Sequence, residues 1–97
     1  MSKKYVIPLI TNRSYVEFEC DLIGTVLTIH LDWNVIGQMY FVAILQDGTE
    51  LISGIGLHPN IDLLRFSGLD IGTLCLKGAD PNPDNLGIKN RLIYESI

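Results

Sequence analysis

From Thr25 to Leu57 the chain carries three successive apolar runs separated by turn residues. The first, Val26-Leu27-Thr28-Ile29-His30-Leu31-Asp32-Trp33, alternates apolar and polar and stops at Asn34. The second, Met39-Tyr40-Phe41-Val42-Ala43-Ile44-Leu45, ends at Asp47-Gly48, and the third is Glu50-Leu51-Ile52-Ser53-Gly54. Period-2 alternation with an Asp-Gly pair marks antiparallel strands joined by hairpins. Upstream, Tyr15 to Leu22 alternates cleanly. Val16, Phe18, Cys20 and Leu22 share one face, and Glu17, Glu19 and Asp21 share the other, because successive side chains of a strand point to opposite sides. By the same rule Leu27, Ile29, Leu31 and Trp33 oppose Val26, Thr28, His30 and Asp32.

The remainder reads as further short strands and turns. Tyr5-Val6-Ile7-Pro8-Leu9 is a first edge strand, since Pro8 cannot donate to a ladder. Asn34-Val35-Ile36-Gly37 is a short connection. Ile61 to Phe66 is consistent with a short strand or a single helical turn capped by Asn60, and the turn-like reading fits better. Thr73-Leu74-Cys75-Leu76-Lys77 alternates again. Gly78 to Asn85 is the richest turn segment, and Ile88 to Tyr94 is a final strand. Nothing here has the period of an amphipathic helix. About seven short strands predict an all-β domain, a small antiparallel β-sandwich or β-barrel.

Met39 to Leu45 is apolar on both faces. Met39, Phe41, Ala43 and Leu45 share one side, and Tyr40, Val42 and Ile44 share the other. In a small sandwich only one face of each sheet meets the core, so the second apolar face needs another cover. The chain offers no amphipathic helix to supply it; the Gly78–Leu86 loop is one candidate cover, and the expected one is a neighbouring subunit that contacts part of this strand or the Tyr5–Leu9 edge. Tyr5, Ile7, Met39, Phe41 and Ala43 are therefore the candidate subunit-interface residues.

Composition narrows the function classes. Ninety-seven residues make one expected domain over 1–97. At 47% hydrophobic and 19% charged, the chain is more apolar than an average globular one. A net charge of −4 with seven scattered basic residues argues against nucleic-acid recognition, which needs clustered Lys and Arg. No apolar run approaches the roughly 20 residues that span a bilayer. Met1-Ser2-Lys3-Lys4 leads into a short run cut by Pro8, so no signal peptide is expected and synthesis in a cytoplasm is. Cys20 and Cys75 are the two cysteines; each sits in an alternating pattern, which predicts two buried thiols in a reduced domain.

Candidate chemistry is sparse. Asp80-Pro81-Asn82-Pro83-Asp84-Asn85 starts like a calcium loop, but Asn85 stands where Gly is needed and Arg91 where a bidentate Glu is needed. The Glu17-Glu19-Asp21 stripe reads as a solvated strand face rather than an acid–base pair. His30 and His58 have no metal-ligand spacing to Cys20 or Cys75. Trp33 reads as a core aromatic, with an interface anchor as the alternative. No nucleophile, phosphate-loop or dinucleotide motif is present, so neither an enzyme nor a cofactor is expected.

The order of these segments carries a family resemblance. Leu31-Asp32-Trp33-Asn34, an apolar strand, Asp47-Gly48, Leu51-Ile52-Ser53-Gly54, Leu63-Leu64, the loop from Asp80-Pro81 to Asp84-Asn85-Leu86-Gly87, and Arg91-Leu92-Ile93-Tyr94 follow one another. This succession resembles the small plug proteins of contractile-tailed bacteriophage baseplates, typified by the plug of a cyanophage tail. It covers nearly the whole chain, from Ile7-Pro8-Leu9 to Tyr94. The chain departs from the family pattern at Met39-Tyr40, where an aromatic, often Trp, stands; Tyr40 is the residue to take that role. The resemblance implies a virion structural protein with no catalytic residues, at the centre of the baseplate. Its implied partners are the hub, the tail tube and copies of itself, with a trimer favoured over a hexamer. A different tail-completion protein, or a small β-barrel ligand- or peptide-binding module, is the alternative.

Overall fold

The computed structural model describes residues 2–97. It contains seven strands: β1 Lys4–Ile7, β2 Tyr15–Leu22, β3 Thr25–Asn34, β4 Met39–Gln46, β5 Thr49–Gly56, β6 Gly72–Gly78 and β7 Asn90–Ser96. A four-stranded sheet runs β2-β3-β4-β5 and a three-stranded sheet runs β1-β7-β6. Every pairing within them is antiparallel. The strands form two sheets rather than a closed barrel, and one core cluster draws on both.

The alternation sets that core. Leu22, Leu27, Ile29, Leu31, Tyr40, Val42 and Ile44 of the larger sheet are buried together with Leu74, Leu76, Leu92 and Tyr94 of the smaller. Each fully buried aliphatic side chain contributes about 1.5–3 kcal/mol, so this shared layer is the main stabilising contact between the sheets. Trp33 is half-buried and meets the Tyr40 ring edge-to-face at 5.1 Å. The Tyr40 hydroxyl donates to the Arg13 carbonyl at 2.6 Å, so this ring is satisfied at both its apolar and polar ends.

The two sides of the sandwich differ. On one side, the segment after β5 lies along the β6 edge. Asn60 N–H donates to the Leu76 carbonyl and Leu63 N–H to the Leu74 carbonyl. Asp62 Oδ1 accepts from the N–H groups of Leu64 and Leu74, both at 3.0 Å. The single turn expected over Ile61–Phe66 is present, but Asp62 holds it rather than Asn60. On the other side, β1 and β2 each have one hydrogen-bonded neighbour and leave a groove between them.

Local chemistry explains the departures from the sequence pattern. β1 ends at Ile7 because Pro8 has no N–H. β5 extends to Gly56 through two irregularities, with Ser53 and Gly54 together opposite Ala43. Gly54 there takes φ 69°, as a bulge glycine does. β7 begins at Asn90, two residues later than the pattern suggests, because Ile88 and Lys89 fold back on Asn85. The 79–89 loop closes one end of the core: Leu86 is fully buried, and Asn12 N–H donates to the Pro83 carbonyl. It does not bury the outer face of β4, where Met39, Phe41, Ala43 and Leu45 all remain half-exposed.

Two positions yield stability tests. The β2–β3 hairpin turns on Ile23 (φ 53°) and Gly24 (φ 90°), a two-residue turn that needs left-handed backbone at both places. A β-branched residue pays a steric cost of about 1–2 kcal/mol there. Ile23 is exposed, so Ile23→Asn is expected to raise the melting temperature by about 4–8 °C, equivalent to about 1 kcal/mol; a thermal melt checks it. Asn90 is the buried polar side chain of the core region, 1% exposed. Its Oδ1 accepts from Gly87 N–H, and its Nδ2 donates to the Ala79 carbonyl and Asn85 Oδ1. Asn90→Ala removes the partner of Gly87 N–H and of the Ala79 carbonyl, at about 1–3 kcal/mol each, while Asn85 Oδ1 keeps its bond from Asn82 N–H; urea unfolding is expected to show a loss of about 3 kcal/mol.

Candidate interaction surfaces

Three surfaces remain after the core is assigned. The outer face of the larger sheet is built by the second half of each strand's alternation. Cross-strand rows run Tyr15–Asp32–Phe41 and Glu17–His30–Ala43. The face is graded, acidic along β2 and apolar along β4. Glu17, Glu19, Asp21 and Asp32 are exposed, and Glu50 lies opposite Leu45 at the far edge. His30 Nε2 lies 2.9 Å from Glu17 Oε1, and its Nδ1 lies 3.2 Å from the Tyr15 hydroxyl. At the other corner, a Cβ on Gly56 would meet the His58 ring at 2.9 Å and the Met39 sulfur at 3.1 Å. His58 and Met39 therefore pack together over that glycine. The tip of the β3–β4 hairpin projects Ile36, 97% exposed, beside Val35.

The second surface is the groove between the free edges of β1 and β2. Its volume is about 720 Å³, and its walls include Tyr5, Ile7, Phe18, Leu22 and Ile23. Tyr5 sits at its rim, 41% exposed, with its ring stacked on Tyr94 at 6.1 Å. Of the five candidate interface residues, Ile7 is the one whose side chain the core takes, at 8% exposed. The outward positions of that edge strand are Lys4 and Val6 instead, because Ile7 faces Leu92 across the core side. Within its own chain the Ile7 side chain is thus a core residue that also lines the groove wall.

The third surface is the outer face of the smaller sheet, where Val6, Ile93 and Cys75 form one cross-strand row. Lys4, Lys77, Lys89 and Arg91 surround it, with Glu95 the carboxylate among them. The basic residues are not scattered: four of the seven in the chain gather here. Sequence reading missed this face because β6 and β7 offer one basic residue each per alternation. Part of the signal was available in the comparison of strands: the polar positions of β2 are Glu17, Glu19 and Asp21, whereas β6 and β7 carry Lys77 and Arg91 side by side, with Glu95 the one acid.

Cys75 belongs to this outer row, and its placement corrects the expectation of two buried thiols. Leu74 and Leu76 take the inward positions of β6, so the residue between them must face out. Cys20 is buried, and both thiols are free. Burial pushes the Cys20 thiol up to about 11, with the Asp21 carboxylate adding to it. Cys75 is also raised, by partial burial and by Asp62 and Glu95, against the lowering effect of Lys77.

The remaining candidates resolve as structure. In the Asp80–Asn85 loop, Asn82 Oδ1 accepts from the N–H groups of Asp84 and Asn85, and Asn85 Oδ1 accepts from Asn82 N–H. These oxygens hold the turn itself. His30, Cys20 and Cys75 lie on three different faces, and among the described residues no group of three His, Cys, Asp or Glu side chains converges as a metal site would. Among the described residues no helix is long and apolar enough to cross a membrane.

An all-β chain with two unpartnered sheet faces is compatible with many roles, and comparison with known families decides among them. A family model described as "Cyanophage baseplate Pam3 plug gp18" matches residues 4–96. The chain belongs to this plug family. The match spans β1 to β7, so the whole two-sheet architecture is that of a plug-family member. Membership indicates a structural role in a phage baseplate, and hence a component of the virion. No curated protein matches the chain.

The thiols give a direct check on the inward and outward assignments. In the native protein at neutral pH, a small maleimide should label Cys75 slowly and leave Cys20 untouched. Both should label after denaturation. Mass spectrometry of the labelled chain distinguishes the sites, and native labelling of Cys20 would contradict the β2 register.

Proposed function

We propose that this chain is a structural part of a contractile-tail baseplate, located at the tail axis near the hub, where it helps close the tube or join tube to hub. The plug-family match over residues 4–96 carries the reading. It is supported by the half-exposed apolar row Met39, Phe41, Ala43 and Leu45 on the outside of the larger sheet. Exposed apolar patches rimmed by polar residues are the usual mark of a protein contact. On this reading several copies surround the axis, a trimer in preference to a hexamer, and Tyr5, Met39, Phe41 and Ala43 belong to contacts with neighbouring subunits. The family suggests a non-enzymatic part that needs no cofactor.

A second reading draws on the groove of about 720 Å³ between β1 and β2. Its apolar walls and two free strand edges suit an extended peptide added as a strand. A monomeric chain that binds such a peptide in isolation would favour this module.

Two experiments test the proposal. Mass spectrometry of purified virions and of isolated baseplates should find the chain in both; its absence from baseplates would refute the assignment. Phe41→Asp should abolish assembly in sedimentation while lowering the melting temperature by only a few degrees, equivalent to roughly 1 kcal/mol. Val42→Asp, on the buried face of the same strand, should instead unfold the protein. Equal unfolding by both substitutions would remove the physical support for a contact at Phe41.

A further inference from the structure

The two outer faces of the sandwich carry opposite charge. The face of the larger sheet presents Glu17, Glu19, Asp21, Asp32 and Glu50, with His30 and, at the Met39 corner, His58, and no Lys or Arg among the described residues of its strands. The face of the smaller sheet presents Lys4, Lys77, Lys89 and Arg91 against Glu95. Among the described residues, no Lys or Arg forms an ion pair with a carboxylate of its own chain. The segregation is sharp for a chain whose overall charge is only −4. Each face also holds apolar surface: Phe41 and Met39 on the first, Val6 (56% exposed) and Ile93 on the second.

We propose that the acidic outer face of the larger sheet docks on the basic outer face of the smaller sheet of a second copy, head to tail. Pairing a face with itself would set five carboxylates against five, or a basic face with four cations and one carboxylate against its like, which like-charge repulsion opposes. A two-fold dimer through either face is thereby disfavoured, and the complementary arrangement is heterologous. A heterologous contact repeats from copy to copy and closes into a ring where the rotation between neighbours allows. The size suffices: the molecule measures 37 × 27 × 18 Å, and a standard interface takes about 800 Å² from each partner. The inference rests on reading the β4 face as a subunit contact, and is independent of where in a virion the chain sits.

The test uses the purified full chain and two charge-reversal variants. One carries Lys89→Glu with Arg91→Glu, and the other Glu19→Lys with Asp32→Lys; all four side chains are exposed. The parent should sediment above monomer at about 0.1 M salt. It should dissociate toward about 1 M, over which the screening length falls from about 10 to about 3 Å. Each variant alone should keep the parent's circular dichroism and associate at least about tenfold more weakly. An equimolar mixture should recover association, because the untouched acidic face of one variant meets the untouched basic face of the other. A parent that is monomeric at high concentration and low salt would overturn the proposal. So would association unchanged in either variant, or a mixture of folded variants that restores nothing. Should a variant fail to fold, the parent's salt dependence alone decides: association that holds undiminished at high salt overturns it. Failure here leaves the baseplate assignment standing, since detection of the chain in baseplates is a separate measurement.

Discussion

The contact between the two sheets is the constraint from which the rest of the molecule follows. A strand has two faces, and burying one against the opposite sheet commits the other to the outside. In β4 the committed face is Tyr40, Val42 and Ile44, all 0–1% exposed. Tyr40 fixes the arrangement most firmly, since its ring packs on Trp33 and its hydroxyl is tied to the Arg13 carbonyl. A slip of one residue would expose this set and bury Met39, Phe41 and Ala43, leaving the hydroxyl without its acceptor. The apolar outer row is thus a consequence of a register that the core enforces. The same rule turns Cys75, Ile93 and Val6 outward on the smaller sheet.

Most of the larger sheet was legible in the residues. The alternation in β2 and β3 assigned faces correctly from Val16 to Leu31, and Asp47-Gly48 marked the β4–β5 hairpin. The turn at Ile23 was harder, because Gly24 alone signalled it and a β-branched residue occupies a left-handed position. The bulges in β5 were not legible: which residue is left unpaired depends on the neighbouring strand, and Gly54 reads equally well as a strand end. The apolar run Thr73–Lys77 misled for a different reason. Cysteine passes as a core residue by composition, yet its parity with Leu74 and Leu76 places it outside. Parity was the better guide.

The surfaces were less legible than the core. Sequence reasoning named the outer row of β4 but included Ile7, whose partner Leu92 lies more than eighty residues away. Without knowing that β1 pairs with β7, nothing in Tyr5-Val6-Ile7 says which side faces inward. The gathering of Lys4, Lys77, Lys89 and Arg91 on one face depends on that same pairing. Charge segregation between two sheets is a property of topology, and a count of basic residues along the chain does not contain it.

That pairing also governs how the molecule can be built. The four strands from Tyr15 to Gly56 form a meander in which each strand follows its neighbour directly, so their contacts close short loops. β1 must wait, since its only hydrogen-bonded neighbour is the last strand. Until Asn90–Ser96 has emerged and paired with β6, Lys4–Ile7 has no edge to join, and Tyr5 and Ile7 have no core to cover. Closing so long a loop is entropically expensive and slow compared with forming the hairpins. This topology leads to the expectation that the larger sheet forms first and that docking of β1 completes the smaller sheet's outer face last.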